Sequence, residues 1–103
     1  RDFIHVMDLA NIHILSLGHL IKTKKSEIFN CGYGKGYSVM EVVKTLNKVL
    51  RRKIPVLYGP RRKGDLTSVV ADVSKIKKTM RWKPKFNKLE LIIKSSLSWE
   101  KKL

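Results

Sequence analysis

Only two short segments of this chain have the composition of β-strands, and helical patterns flank both of them. Residues 27–31 form an apolar run that ends at a glycine cluster, and residues 54–58 are β-prone but contain Pro55, which favours an edge position. Two strands are too few for a self-sufficient sheet, because an isolated pair is marginal in water. The sequence therefore predicts an α/β fold in which at least part of the sheet comes from residues outside this chain.

Four other stretches have helical periodicity. Residues 4–21 carry an apolar stripe made of Ile4, Met7, Ala10, Ile14, Leu17 and Ile21. A Ser-x-x-Glu capping box at Ser38 and Glu41 predicts the start of a second helix. Its predicted buried face consists of Val39, Val42, Val43, Leu46 and Leu50.

The last part of the chain predicts two more helices. A short lysine-rich helix covers residues 74–80, and Pro84 ends it. A final helix begins at Leu89, and its apolar positions at helical spacing are Ile92, Ile93, Leu97, Trp99 and Leu103. The predicted order is therefore helix, strand, helix, strand, basic loop, helix, helix.

The charge balance of the chain favours an anionic partner. Twenty-three Lys and Arg residues face eight Asp and Glu residues, which gives a formal net charge of +15. The cations are scattered, without the interleaved aromatic residues of a base-stacking surface. The pattern therefore favours solvated basic faces over specific nucleic-acid binding, although a basic polyanion-binding module without catalysis stays an alternative.

Several functional classes receive no support from the sequence. A single cysteine, Cys31, cannot form an internal disulfide, and no secretory signal pattern is visible, so a cytoplasmic location is expected. No apolar run approaches the ~20 residues that span a bilayer, so no membrane association is expected. The three histidines, His5, His13 and His19, have no convincing metal-ligand spacing, so no metal site is expected.

Three places have residues suited to binding. The glycine loop at residues 32–36 joins a predicted strand to a helix and could receive a phosphate, but a tight turn explains its glycines equally well and is the favoured interpretation. At residues 61–65, the pair Arg61 and Arg62 could neutralise a diphosphate while Asp65 accepts bonds from sugar hydroxyls; binding is the favoured interpretation, although a solvated turn has the same composition. At the start of the chain, Arg1 and Phe3 could contact an anion and an apolar or stacked group.

Four sequence motifs follow one another along the chain: R-D-F-I-H-V-M-D-L-A, F-N-C-G-Y-G-K-G-Y-S-V, P-R-R-K-G-D and V-A-D-V-S-K. In this order and at these separations, the strings closely resemble the C-terminal portion of the UDP-glucose 4-epimerases. These belong to the extended short-chain dehydrogenase/reductase family of NAD-dependent sugar-nucleotide epimerases. Related epimerases and dehydratases share weaker forms of the strings, so another UDP-sugar enzyme of this family stays an alternative.

The resemblance implies that UDP-sugar binding and NAD binding belong to different parts of the enzyme. Residues 1–103 would be the small C-terminal UDP-sugar-binding portion, and an N-terminal NAD-binding Rossmann domain, absent from this chain, would complete an enzyme that could form a homodimer. By motif, Arg1 and Arg62 would contact the UDP diphosphate and Asp65 the ribose. Phe3 replaces a frequent tyrosine, so its ring packing can persist without the hydroxyl. Val69 matches a gate residue, and its small size predicts that UDP-N-acetylhexosamines are also accepted.

The resemblance also implies a reaction, the interconversion of UDP-glucose and UDP-galactose. In the family, bound NAD oxidises C4 of the sugar, the 4-keto sugar rotates, and hydride returns to the opposite face. The catalytic Y-x-x-x-K string of the family has no counterpart here, because none of Tyr33, Tyr37 and Tyr58 has a lysine four positions later. No catalytic or cofactor-binding residue is therefore expected in this chain, which is predicted to be inactive alone.

Overall fold

The computed structural model describes all residues from 1 to 103 and contains four α-helices and no β-strand. The helices are α1 (Val6–Thr23), α2 (Val39–Leu50), α3 (Ser74–Met80) and α4 (Leu89–Glu100). Helix α1 packs against α3, and α2 packs against α4. The helical part of the predicted α/β layout is therefore confirmed, with α1 beginning and ending two residues later than the sequence predicted.

The two predicted strands do not form. A strand needs a neighbour to satisfy its backbone N–H and C=O groups, and neither residues 27–31 nor residues 54–58 have a ladder partner in this chain. The second segment is instead tied to the end of α2, where the backbone nitrogen of Ile54 donates to the Asn47 side chain at 3.0 Å. Beyond this anchor the segment is open to solvent, and Leu57 is 99% exposed.

The main hydrophobic cluster lies between α1 and α3. It is formed by four buried side chains, Ile12, Val73, Ile76 and Trp82. The ring of Tyr33 stacks over the indole of Trp82, with 6.3 Å between the ring centroids and 6° between the planes. This cluster joins α1, α3 and the glycine loop, and so fixes elements that surround the candidate site.

Most of the apolar stripe predicted for residues 4–21 does not face this cluster, although Ile4 packs against it. Met7, Ile14, Leu17 and Ile21 are each more than half exposed, and α1 buries Asp8 and Ile12 instead. The residues of this chain supply no surface that covers the stripe, so the helix turns a different face inward. Periodicity located the helix correctly but assigned the wrong face to the interior.

Helices α2 and α4 make a looser pair. The capping box is confirmed: Ser38 Oγ accepts from the backbone nitrogen of Glu41 at 3.0 Å, and Glu41 Oε2 accepts from that of Ser38 at 3.1 Å. The predicted buried face of α2 is only half-buried, and Val39 is exposed because it lies in the first turn at the mouth of a cleft.

Leu89 and Ile93 are the buried residues of α4. Trp99 and Leu103, predicted to continue its apolar pattern, are exposed, because they lie at and beyond the end of the helix, where no other element covers them. None of the four helices is both long enough and apolar enough to span a membrane.

Candidate nucleotide-sugar site

The start of the chain is tied to the glycine loop and to the segment before α3 by one carboxylate. Asp2 Oδ1 accepts from the backbone nitrogen of Tyr33 at 2.9 Å, and Asp2 Oδ2 accepts from those of Gly34 at 2.9 Å and Ala71 at 3.2 Å. The neighbouring Arg1 exchanges two backbone hydrogen bonds with Tyr37, each 2.7 Å long. These bonds place Arg1 beside the N-terminus of α2.

The glycines of this loop are explained by close packing. A Cβ atom on Gly32 would lie 2.6 Å from Asp2 Oδ2 and 2.9 Å from the Cβ atom of Ala71, so no larger residue fits there. Gly34 has a φ of +74°, which L-residues rarely adopt. The structure therefore agrees with the favoured interpretation of the loop as a tight turn, rather than as a phosphate cradle.

Three of the predicted site residues meet in one cleft of about 470 Å³. Arg1, Arg62 and Asp65 line it, although more than 60 positions separate Arg1 from the other two in the sequence. The other lining residues are Tyr37, Ser38, Val39, Pro60, Arg61, Leu66 and Thr67. The cleft thus combines three guanidinium groups, one carboxylate and the first turn of a helix, whose free N–H groups also favour anions.

The side chains of the cleft are only partly engaged with each other. Arg62 Nε donates to Asp65 Oδ2 at 2.9 Å, and Arg1 Nη1 donates to the carbonyl oxygen of Leu66 at 3.0 Å. No carboxylate lies within salt-bridge distance of Arg1 or Arg61. The terminal amino groups of Arg62 make no hydrogen bond within the chain. The cleft therefore presents uncompensated guanidinium donors, as the binding of a diphosphate requires.

Val69 borders a neighbouring cavity. This cavity of about 560 Å³ is lined by Arg1, Asp2, Asn30, Cys31, Val69, Val70, Ala71 and Asp72. Arg1 lines both the cleft and this cavity, so the cavity that Val69 borders adjoins the cleft of Arg62 and Asp65 at Arg1. The arrangement is compatible with a ligand that passes Arg1 and reaches Val69 with its far end.

Phe3 is placed elsewhere. Its ring is half-buried and lines an apolar cavity of about 280 Å³ between α2 and α4, together with Val42, Leu46, Leu89, Ile92, Ile93 and Leu97. The structure therefore brings together Arg1, Arg62 and Asp65, keeps Val69 adjacent to them, and separates Phe3 from all four.

A further carboxylate, that of Asp8, holds the glycine loop through the Tyr33 hydroxyl, a role that the sequence did not predict. Asp8 is 1% exposed and accepts hydrogen bonds from the Tyr33 hydroxyl at 2.6 Å and from the backbone nitrogens of Lys85 and Phe86 at 3.0 Å. Burial alone would raise the pKa of Asp8, but these bonds outweigh it and hold the pKa below its ordinary value. Burial and the bond to Asp8 raise the pKa of Tyr33.

Comparison with proteins of known function extends this description. No family model matches the chain. The chain is 46% identical to the UDP-glucose 4-epimerase of Azospirillum brasilense over 103 residues, which is 100% of this chain and 30% of that protein. The chain therefore spans about a third of the length of the relatives it matches.

Solved structures give the same result. The UDP-Glc/GlcNAc 4-epimerase of Campylobacter jejuni superposes with a TM-score of 0.88 at 44% identity, covering 100% of this chain and 31% of that one. A UDP-glucose-4-epimerase from Stenotrophomonas maltophila, solved with bound NAD and formylated UDP-arabinopyranose, gives 0.91 at 31% identity, covering 99% and 30%.

In sequence and in fold, the chain is thus similar over its whole length to the C-terminal portion of sugar-nucleotide epimerases. More particularly, the chain is homologous over its full length to the C-terminal portion of the UDP-glucose 4-epimerases.

Proposed function

We propose that this chain is the UDP-gripping portion of an NAD-dependent UDP-glucose 4-epimerase, an enzyme that interconverts UDP-glucose and UDP-galactose. The observation that carries the proposal is the cleft in which Arg1, Arg62 and Asp65 meet, in a chain 46% identical to such an epimerase over its whole length. We assign the diphosphate to Arg1 and Arg62 and the ribose hydroxyls to Asp65.

The arrangement of charges fits this assignment. Guanidinium groups donate parallel hydrogen bonds that match phosphate oxygens, whereas a carboxylate accepts bonds from hydroxyl groups. Arg62 already shares one bond with Asp65, so each side chain orients the other while its remaining polar atoms stay free for a ligand. Affinity from this end of the ligand would leave the hexose loosely held, and an epimerase needs that freedom for its sugar to turn between two faces.

The chemistry at C4 belongs to residues outside this chain. Its glycine run does not fit a dinucleotide, because the space beside Gly32 is already filled by Asp2 and Ala71. We therefore place NAD, which would supply the hydride chemistry when bound, in an N-terminal domain that precedes residues 1–103 in the complete enzyme. A structure neighbour solved with bound NAD supports NAD as the cofactor of the complete enzyme. A homodimer of the complete enzyme and a cytoplasmic location complete the proposal.

Val69 would face the hexose end of the ligand. We propose that its short side chain leaves room for an N-acetyl group, so that UDP-N-acetylglucosamine is accepted beside UDP-glucose. The similarity to an epimerase described as acting on both UDP-Glc and UDP-GlcNAc supports this extension. Phe3 would act by ring packing between α2 and α4, which keeps the backbone of the neighbouring Arg1 in place.

The experiment that tests the proposal uses the full-length protein that carries this chain. Titration with UDP in a calorimeter should give saturable 1:1 binding, and incubation with UDP-galactose should yield UDP-glucose. A protein that binds RNA and heparin as tightly as it binds UDP, with a steep salt dependence, would instead support the basic polyanion-binding alternative. Turnover of UDP-glucose but not of UDP-N-acetylglucosamine would reject only the role given to Val69.

A further inference from the structure

The Asp2 carboxylate makes an unusual set of bonds for a half-exposed side chain. Its two oxygens accept three backbone N–H groups, two from the glycine loop and one from Ala71. The donors are 31, 32 and 69 positions away in the sequence, so one side chain holds together three separate segments. Hydrogen bonds to a charged acceptor are about twice as strong as neutral ones.

The space around this carboxylate is shaped to receive it. A side chain at Gly32 would collide with Asp2 Oδ2, and the same Cβ would press on Ala71. Glycine at this position therefore permits the carboxylate to sit between the two segments. A salt bridge in open solvent would require no such fit.

The hydrogen bonds of Asp2 affect the two residues between which the proposed ligand would lie, Arg1 and Val69. Because Asp2 points at backbone amides, its charge is not used to pair with Arg1, whose guanidinium stays without a carboxylate partner. On the other side, the bond to Ala71 fixes the backbone two residues after Val69. Arg1, Asp2 and Val69 line the same cavity.

We propose that Asp2 is a positioning residue that sets the distance between the nucleotide grip at Arg1 and the cavity wall at Val69. The inference rests on the proposed function of the cleft and adds a determinant of sugar preference to it. A change at Asp2 should therefore alter how tightly UDP is held and also how the enzyme ranks sugars of different size.

The sign of the effect separates positioning from simple electrostatics. Removal of a carboxylate beside Arg1 makes the site more positive, which by charge alone strengthens the binding of an anion. Positioning predicts the opposite, because Asp2→Asn places an amide NH₂ group against backbone N–H donors and releases Arg1 and Ala71. Glu90→Gln is the control, because it also removes one carboxylate charge, but Glu90 pairs with Lys48 and Lys94 and lines neither the cleft nor the cavity.

The experiment compares full-length wild type with both variants. We expect Asp2→Asn to weaken UDP binding about tenfold, while Glu90→Gln leaves it unchanged. The ratio of kcat/KM for UDP-N-acetylglucosamine to that for UDP-glucose should change severalfold in Asp2→Asn alone. If Asp2→Asn does not fold, Asp2→Glu keeps the charge but moves the carboxylate by one methylene, and it should weaken UDP binding in the same way.

Each outcome has a distinct meaning. A wild-type protein that binds no UDP overturns the proposed function, and this inference with it. A wild type that binds UDP, beside a folded Asp2→Asn or Asp2→Glu protein with wild-type UDP affinity and wild-type sugar ranking, overturns the positioning role alone.

Discussion

The packed pair of helices α1 and α3 and the segment of residues 55–70 differ in how far their side chains are buried. The first contains the cluster around Ile76, which is fully buried, and the Asp8 carboxylate, which is 1% exposed. In the second, every residue is exposed, although it supplies Arg62 and Asp65 to the cleft. The difference indicates that one region stabilises the fold, whereas the other supplies Arg62 and Asp65 to the proposed binding cleft, which Arg1 completes.

The largest effect should come from the centre of the first region. Ile76→Ala removes buried methyl groups from a site with 0% exposure, and we expect it to lower the free energy of unfolding by about 3 kcal/mol. The control in the second region is Leu57→Ala, whose side chain is 99% exposed and whose expected effect is under about 0.5 kcal/mol. Urea unfolding of the full-length protein measures both. Equal effects would show that residues outside this chain cover Leu57.

A pH profile should expose the contribution of Asp8. Its folded pKa lies below its ordinary value, so the carboxylate stabilises the fold above the unfolded pKa, and this stabilisation disappears as pH falls through the folded pKa. At pH 7 we expect the free energy of unfolding of Asp8→Asn to be about 2 kcal/mol lower than that of wild type, because a buried charged acceptor is lost. The difference in unfolding free energy should narrow below about pH 4. A difference in unfolding free energy between wild type and Asp8→Asn that stays constant down to about pH 2.5 would contradict the stabilising role of the Asp8 carboxylate.

Affinity, not stability, should respond in the second region. Arg62→Ala should weaken UDP binding about tenfold or more, because a charge-assisted bond to phosphate is removed. Its melting temperature should not change, because the Arg62 side chain is 82% exposed. Lys63→Ala removes the same charge from the next residue, which does not line the cleft, and serves as the control. Equal losses of affinity in the two variants would reduce the role of Arg62 to a general electrostatic one.

The sequence predicted where helices form more accurately than it predicted which side chains are buried. The capping box at Ser38 located the start of α2 because its two side-chain bonds are local. Arg1, Arg62 and Asp65, which the motifs singled out, line one cleft, and their contacts with a ligand stay a prediction. The predicted strands failed because strand formation depends on a partner that this chain does not supply. The apolar face of α1 failed for the same reason, since periodicity indicates an apolar face but not what covers it.

The two carboxylates that organise the fold escaped prediction for another reason. Asp2 and Asp8 bond to backbone nitrogens that are 31 to 78 positions away, and any residue with a free N–H group can supply such a donor. No pattern of side-chain types marks these contacts in advance. The glycine at position 32 was the only local signal, because its lack of a side chain makes room for Asp2.

The smallest effects should come from two glycines, and their signs should be opposite. Gly18 lies inside α1, and a Cβ atom at this position would meet nothing within 4 Å. Gly18→Ala should therefore stabilise the fold by about 0.5–1 kcal/mol through higher helix propensity. Gly34 has a φ of +74°, so Gly34→Ala should destabilise it by about 1 kcal/mol.

The glycine pair also tests the link between the two regions. The backbone nitrogen of Gly34 donates to Asp2, so a strained alanine at this position should loosen the carboxylate that holds the segment beside Arg1. Gly34→Ala should therefore weaken UDP binding severalfold, whereas Gly18→Ala should leave it unchanged. Calorimetric titration of both variants provides the measurement. Weaker UDP binding in Gly34→Ala at an unchanged melting temperature would mean that the glycine loop contributes more to ligand binding than to stability.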